Sequence, residues 1–319
     1  MTTETTPAMP HASASDRAAG PSPVLVDPPR FVTSSDGHEL QLRAIRPAEA
    51  GEGEVILCVH GLFSDSRSFL GGGDQGPARF LAERGHTVYL GELRGHGRSK
   101  GPAPRGGGWG FDAYARADIP ALIRAVHLQE GRPIYLFCHS MAGYAALVGL
   151  ALDADLQGQV AGVVLLSSAV NDYSDGGLKK VAMIRLGAAL GRLLGRFPAK
   201  ALKMGPSDEP GRLMRTFAAW ARDRSFRSDD GAIDYWQALA EVRLPVFAGI
   251  GEADVFHASP ARGKRLVDHL GGDDKTFLVL GRSSGLSRDF GHVDVLRGKA
   301  AEAEVLPQID AWIRDVAGR

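Results

Sequence analysis

Long apolar runs are missing from this chain of 319 residues: no stretch approaches the roughly 18 consecutive apolar residues that a bilayer span requires. Cysteine is scarce. Cys58 and Cys138 are the two present, each inside an apolar strand-like run, which excludes a disulfide framework and suits reduced core residues in a cytoplasmic protein. Charge of one sign is lacking too, with 37 Lys and Arg against 37 Asp and Glu, so no global field points to a nucleic acid partner. Gly71-Gly72-Gly73 and Gly106-Gly107-Gly108 carry neither the Lys-Ser/Thr pair of a phosphate loop nor dinucleotide-fingerprint spacing. They read as loops, and no cofactor is implied. Residues 1–24 are rich in Thr, Ala, Ser and Pro without the apolar core of a secretory signal, and are expected to form a disordered tail.

Alternation dominates the rest. Phe31 to Ser34 and Glu39 to Ile45 are short runs joined around Asp36-Gly37, the signal of a two-residue hairpin. Val55 to Val59, Thr87 to Leu90, Ile134 to Cys138 and Val160 to Ser167 are apolar strands of the kind buried in a parallel sheet. Between them, Pro77 to Arg84, Asp112 to Gln129 and Gly143 to Ala151 have helical pattern. From Asn171 to about Ala240 only helical pattern is found, before strands resume at Pro245 to Ile250 and Thr276 to Leu280 and a last helix covers Ala301 to Val316. The expected architecture is an α/β core of residues 25–170 and 241–319, interrupted by a helical cap at 171–240.

Ligands gather at the carboxyl ends of the strands of such a sheet. His60-Gly61-Leu62 follows the first buried strand, Ser140 follows Ile134 to Cys138, Glu252 and Asp254 follow Pro245 to Ile250, and His292 follows the last strand. A nucleophile, a carboxylate and a base thus fall on one edge. Ser140 sits between small residues, Cys138 and Ala142, where a strand must turn sharply into a helix, with Gly143 suited to close helix packing. A serine hydroxyl needs a base to become a nucleophile, and the imidazole of His292 is the side chain whose intrinsic pKa fits that task.

These residues, with Arg94-Gly95-His96-Gly97-Arg98-Ser99, Gly251-Glu252-Ala253-Asp254 and Gly291-His292, resemble the α/β-hydrolase superfamily over roughly residues 29–317. The stretches Gly76 to His86, Asp118-Ile119-Pro120-Ala121 and Phe290 to Asp294 are similar to its acid lipase and cholesteryl esterase branch, from which Cys138 departs where glycine is usual. The resemblance implies an α/β-hydrolase fold: a mostly parallel twisted sheet with flanking helices and an inserted helical cap. It implies Asp254, in preference to Glu252, Asp172 or Asp175, as the partner of His292, and the backbone amides of Leu62 and Met141 as the oxyanion hole. It also implies a carboxylic ester hydrolase working through an acyl-enzyme. A thioesterase, an acyltransferase or a hydrolase-like binding protein would use the same frame, whereas a dehalogenase or epoxide hydrolase needs a carboxylate where Ser140 stands. His60, His96 and His139 lie on glycine-rich turns without carboxylate or thiolate partners in ligand spacing, and structural roles are expected of them, with no metal.

The cap segment is cationic: between Asp175 and Arg227 twelve basic residues face four acidic ones. In Leu178 to Leu194, Val181, Ile184, Ala188 and Leu194 follow helical spacing with basic residues on other faces. That leaves a solvated basic face, or a docking face for an acidic carrier protein, CoA or a lipid surface. The substrate itself is expected to be a small acyl ester.

Overall fold

The computed structural model describes residues 23–49, 51–71, 76–99, 108–172 and 177–319. In chain order the strands are β1 (Val24–Val26), β2 (Arg30–Thr33), β3 (Glu39–Pro47), β4 (Val55–Val59), β5 (Thr87–Gly91), β6 (Ile134–His139), β7 (Val160–Leu166), β8 (Arg196–Phe197), β9 (Glu209–Pro210), β10 (Val246–Gly251) and β11 (Lys275–Leu280). Nine of them make one sheet in the order β1-β3-β5-β4-β6-β7-β10-β11, with β2 paired to β3. The first three strands run antiparallel to their neighbours, whereas β5, β4, β6, β7, β10 and β11 are mutually parallel.

Burial follows from position in that order. Every residue of β4, β6 and β10 is buried, because helices cover both faces of a parallel sheet. Successive side chains go to opposite faces. Val55, Leu57 and Val59 join Ile134, Leu136 and Cys138 in a core under helices Ile119–Glu130 and Met141–Ala151, whereas Ile56, Cys58, Tyr135 and Phe137 join the core under helices Pro77–Ala82 and Leu306–Ala317. Each fully buried Leu, Ile, Val or Phe of this set contributes roughly 1.5–3 kcal/mol relative to exposure.

Several sequence expectations need correction. The β2–β3 hairpin closes on three residues and not two, since Ser34 and His38 still pair (Ser34 N to His38 O, 2.8 Å) and Gly37 takes the left-handed position at φ 86°. Val24, assigned to the tail, lies in β1 against Pro47. The remaining tail residues 1–22 lie outside the described residues, as do Gly72, Gly73, Gly106, Gly107 and Asp175.

The segment between β7 and β10 is not purely helical. It holds helices Leu178–Leu194 and Gly211–Asp223, but β8 and β9 pair between them (Phe197 with Glu209), a contact too short to leave a strand signature in sequence. On its first helix Ile184 is inward and buried as expected, but Leu194 is 45% exposed. No helix among the described residues is long and apolar enough to cross a membrane.

Candidate active site

The turn out of β6 is the strained point of the sheet edge. Ser140 has φ 56° and ψ −126°, a conformation costly to a residue with a Cβ and retained only where surroundings over-determine it. Three hydrogen bonds do so. Ser140 N donates to Leu166 O at the end of β7 (2.9 Å), and its carbonyl accepts from Ser168 Oγ (2.9 Å) and Gly143 N (3.1 Å). Cys138 and Ala142 are fully buried, as small neighbours of the turn, and burial pushes the Cys138 thiol far above the ordinary range, so it is inert packing. Gly143 passes so close to β7 that a Cβ there would lie 2.1 Å from Ser168 Oγ.

The sequence-expected partners converge on this serine. His292 Nε2 lies 3.0 Å from Ser140 Oγ, and His292 Nδ1 lies 2.5 Å from Asp254 Oδ2. The carboxylate can only accept, so Nδ1 carries the proton and Nε2 presents its lone pair to the serine hydroxyl. Asp254 is buried. Burial alone would raise its carboxyl pKa, but the hydrogen bond to His292 and the Ala258 amide (3.1 Å) hold it below the usual carboxylate range. The alternatives sit elsewhere: Glu252 accepts from Ser283 N, and Asp172 pairs with Arg265.

The glycine of the Gly251-x-x-Asp254 turn has a physical reason. A Cβ at Gly251 would lie 2.3 Å from Phe290 O, so only glycine lets the loop bearing His292 close onto the turn bearing Asp254. Three further residues hold these loops, and sequence reasoning gave two of them no role. Buried Arg262 donates from its guanidinium to the carbonyls of Val170, Phe256 and His257, clamping the acid loop. His139 Nε2 donates to His292 O (2.8 Å), and its ring, like that of His257, packs on the imidazole of His292 (4.9 and 4.6 Å between centroids). Burial pushes the His139 pKa down to about 3, and burial with the neighbouring His292 takes His257 down to about 4 although its outer edge is open to the cleft. Both therefore stay neutral beside the His292 ring.

The first turn of helix Met141–Ala151 presents the Met141 amide, an N-terminal donor with no intrahelical acceptor. Across from it runs His60-Gly61-Leu62. A Cβ on Gly61 would lie 2.7 Å from Ser140 Cβ, so the backbone leading to the Leu62 amide passes directly against the serine. His60 Nδ1–H donates to Gly61 O (2.9 Å) and Nε2 accepts from Leu93 N (3.2 Å), with the carboxylate of Glu92, a neighbour the sequence did not reveal, 3.3 Å from Nε2.

Behind this loop lies a buried joint whose acid the sequence did not reveal. Glu209 of β9 accepts from Phe63 N (2.9 Å) and the Tyr114 hydroxyl (3.0 Å), and Oε1 lies 3.4 Å from His96 Nε2. His96 Nδ1–H donates to Ser64 O (2.7 Å), and Ser207 N donates to Phe63 O (3.1 Å). Phe63, next to Leu62, is held at φ 59°. Burial alone would lower the His96 pKa, yet Glu209 holds it above its ordinary value. The one hint in sequence is Asp208-Glu209, an acidic pair in an otherwise basic stretch. Among the described residues no cluster of His, Cys, Asp or Glu is gathered as a metal site would require.

Ser140, His292 and His257 open into a cleft of about 480 Å³. Its apolar wall comes from Met183, Ile184, Phe197, Met214 and Phe217 of the β7–β10 segment, and its polar groups include Asn171 and Arg297. A more open depression of about 660 Å³ beside Trp109 and Arg116 contains none of Ser140, Asp254 and His292.

A family model described as the alpha/beta hydrolase family matches residues 56–312. The chain belongs to the alpha/beta hydrolase family. That model is broad and does not single out the acid lipase and cholesteryl esterase branch. No curated protein sequence gives a match. Among solved structures, a thermophilic esterase from Thermogutta terrifontis is similar at 19% identity and TM-score 0.61, covering 91% of this chain and 99% of that one. A monoacylglycerol lipase from Paleococcus ferrophilus is similar at 19% identity and TM-score 0.56, with 87% and 99% covered. An esterase from Exiguobacterium antarcticum is similar at 17% identity and TM-score 0.59, with 89% and 98% covered. These likenesses establish the α/β-hydrolase fold.

Proposed function

We propose that this chain is a serine hydrolase that cleaves a carboxylic ester by way of an acyl-enzyme. The observation that carries the reading is the continuous chain Ser140 Oγ, His292 Nε2, His292 Nδ1, Asp254 Oδ2, with separations of 3.0 and 2.5 Å. Ser140 Oγ attacks the acyl carbonyl carbon as its proton passes to His292 Nε2. Asp254 stabilises the imidazolium, and the Leu62 and Met141 amides stabilise the oxyanion at roughly 3 kcal/mol per donor. Collapse breaks the bond to the alcohol oxygen, which leaves with the proton from His292. Water then attacks the acyl carbon, giving its proton to His292, and the acid departs as Ser140 regains its hydrogen.

The residues between β7 and β10 act as the cap, whose methionines and phenylalanines form an apolar pocket for the acyl group. The similar structures, two esterases and a monoacylglycerol lipase, agree with ester chemistry. Two buried free thiols suit a reducing, cytoplasmic setting. The test is turnover of p-nitrophenyl esters from acetate to palmitate. Hydrolysis that varies with chain length is expected; no turnover at any length overturns the proposal, and faster cleavage of an acyl-CoA than of the matched oxygen ester moves it to a thioesterase.

A further inference from the structure

Helix Leu178–Leu194 has two apolar faces. The inner one includes Ile184 and Gly187, which are buried and line the cleft. The outer one is Ala182, Leu186, Ala189 and Leu193, spaced by four, three and four residues so that they form one stripe. All four are exposed, Leu186 by 67% and Leu193 by 81%. Leu202 and Met204, in the turn that follows, are exposed by 49% and 47%. A helix apolar on both sides is normally covered on both, and among the described residues nothing covers this one.

The charge around the stripe has one sign. Residues 178–207 contain seven Lys and Arg and no Asp or Glu. Arg196 is paired with Asp208, but Lys179, Arg185, Arg192, Lys200 and Lys203 point into solvent. Leucines flanked by basic side chains fit a surface that is apolar inside and anionic outside: the leucines enter the acyl boundary while the cations reach phosphate groups. CoA is too small to cover a helix face of about 25 Å. An acidic protein answers the charges but gives the leucine stripe no apolar phase.

We propose that the outer face of helix Leu178–Leu194, continued by Leu202 and Met204, docks this protein on an anionic lipid surface. Met183 joins the two faces. It is 51% exposed and also lines the cleft, so docking brings the cleft mouth to the lipid boundary.

The test floats the full chain with phosphatidylcholine vesicles, with and without phosphatidylserine, at low and high NaCl. Binding is read from protein distribution, so it stands or falls independently of the ester reading. Wild-type protein is expected to associate with the anionic vesicles and to be released by salt. The exposed double variant L186S/L193S is expected to bind about tenfold more weakly, and R185Q/R192Q to lose much of the preference for anionic lipid. Both should turn over a soluble short ester as wild type does, which shows that they are folded. No association, equal association with neutral vesicles, or binding unchanged in L186S/L193S overturns the proposal. So does a wild-type dimer that L186S/L193S converts to monomer, which would make a second copy of the chain the occupant, or wild-type retention by an acidic carrier protein under conditions where vesicles bind none.

Discussion

The edge of the sheet around Ser140 and the segment between β7 and β10 treat polarity in opposite ways. At the edge, each group near the serine is held by named partners: Ser140 by Leu166 and Ser168, His292 by Asp254 and His139, Asp254 by Ala258 and His257. The segment lines the cleft with Met183, Met214, Phe197 and Phe217, and leaves Leu186, Leu193, Lys179, Arg185 and Arg192 exposed. Pre-organised hydrogen bonds suit a place where charge develops during reaction, whereas an apolar wall suits a place that selects by shape. The two meet at Glu209, where the segment reaches back to hold the backbone of Phe63 beside the His60-Gly61-Leu62 loop.

Substitutions at the edge should cost the most. Ser140→Ala and His292→Ala are expected to lower kcat by at least about a thousandfold, and Asp254→Asn by about ten-thousandfold or less, with thermal unfolding little changed. Steady-state kinetics and a melting curve together check this, and loss of fold in all three would break the contrast between chemistry and scaffold. One step smaller, Gly61→Ala places a Cβ where Ser140 already stands and should lower kcat about a hundredfold through the displaced loop. Leu62→Ala, which changes only a side chain beside a working amide, should be mild. Equal losses in the two variants would remove the backbone role given to this loop.

Glu209→Gln sharpens the comparison at the joint. It keeps the shape but removes the charge facing His96, and is expected to cost roughly 2 kcal/mol in denaturant unfolding. Its kcat should fall more than its KM changes, because Phe63 and the adjoining amide lose a fixed partner. Titration gives effects of opposite sign at two histidines. His139 has a depressed folded pKa of about 3, so the stability it contributes is present above its unfolded value near 6.5 and is lost as pH falls toward 3, by about 1.4 kcal/mol per pH unit at most. His96 has a raised pKa, so its contribution is complete below 6.5 and is lost as pH rises through its folded value. Unfolding measured across pH should therefore show an acid limb that His139→Asn reduces and an alkaline limb that Glu209→Gln flattens.

The parts of the molecule legible in sequence are those where local rules and function agree. Continuous apolar runs marked β4, β6, β7 and β10 because burial on both faces leaves no room for polar residues. Ser140, Asp254 and His292 could be gathered because each follows a strand on the same edge. What escaped were contacts made by chain segments far apart. Glu209 is 146 residues from Phe63, and Arg262 is 92 from Val170. No periodicity records such a pairing. The outer face of helix Leu178–Leu194 escaped for another reason: its inner and outer apolar stripes overlap in sequence, and only exposure separates them.

The central claim is that Ser140 is the nucleophile at the strained turn, activated by His292. It is tested most directly by reacting the protein with a fluorophosphonate and mapping the labelled peptide by mass spectrometry. A single adduct on Ser140, absent from Ser140→Ala and strongly slowed in His292→Ala, is the result this account predicts. An adduct on another residue, or labelling of Ser140→Ala at the wild-type rate, would contradict it.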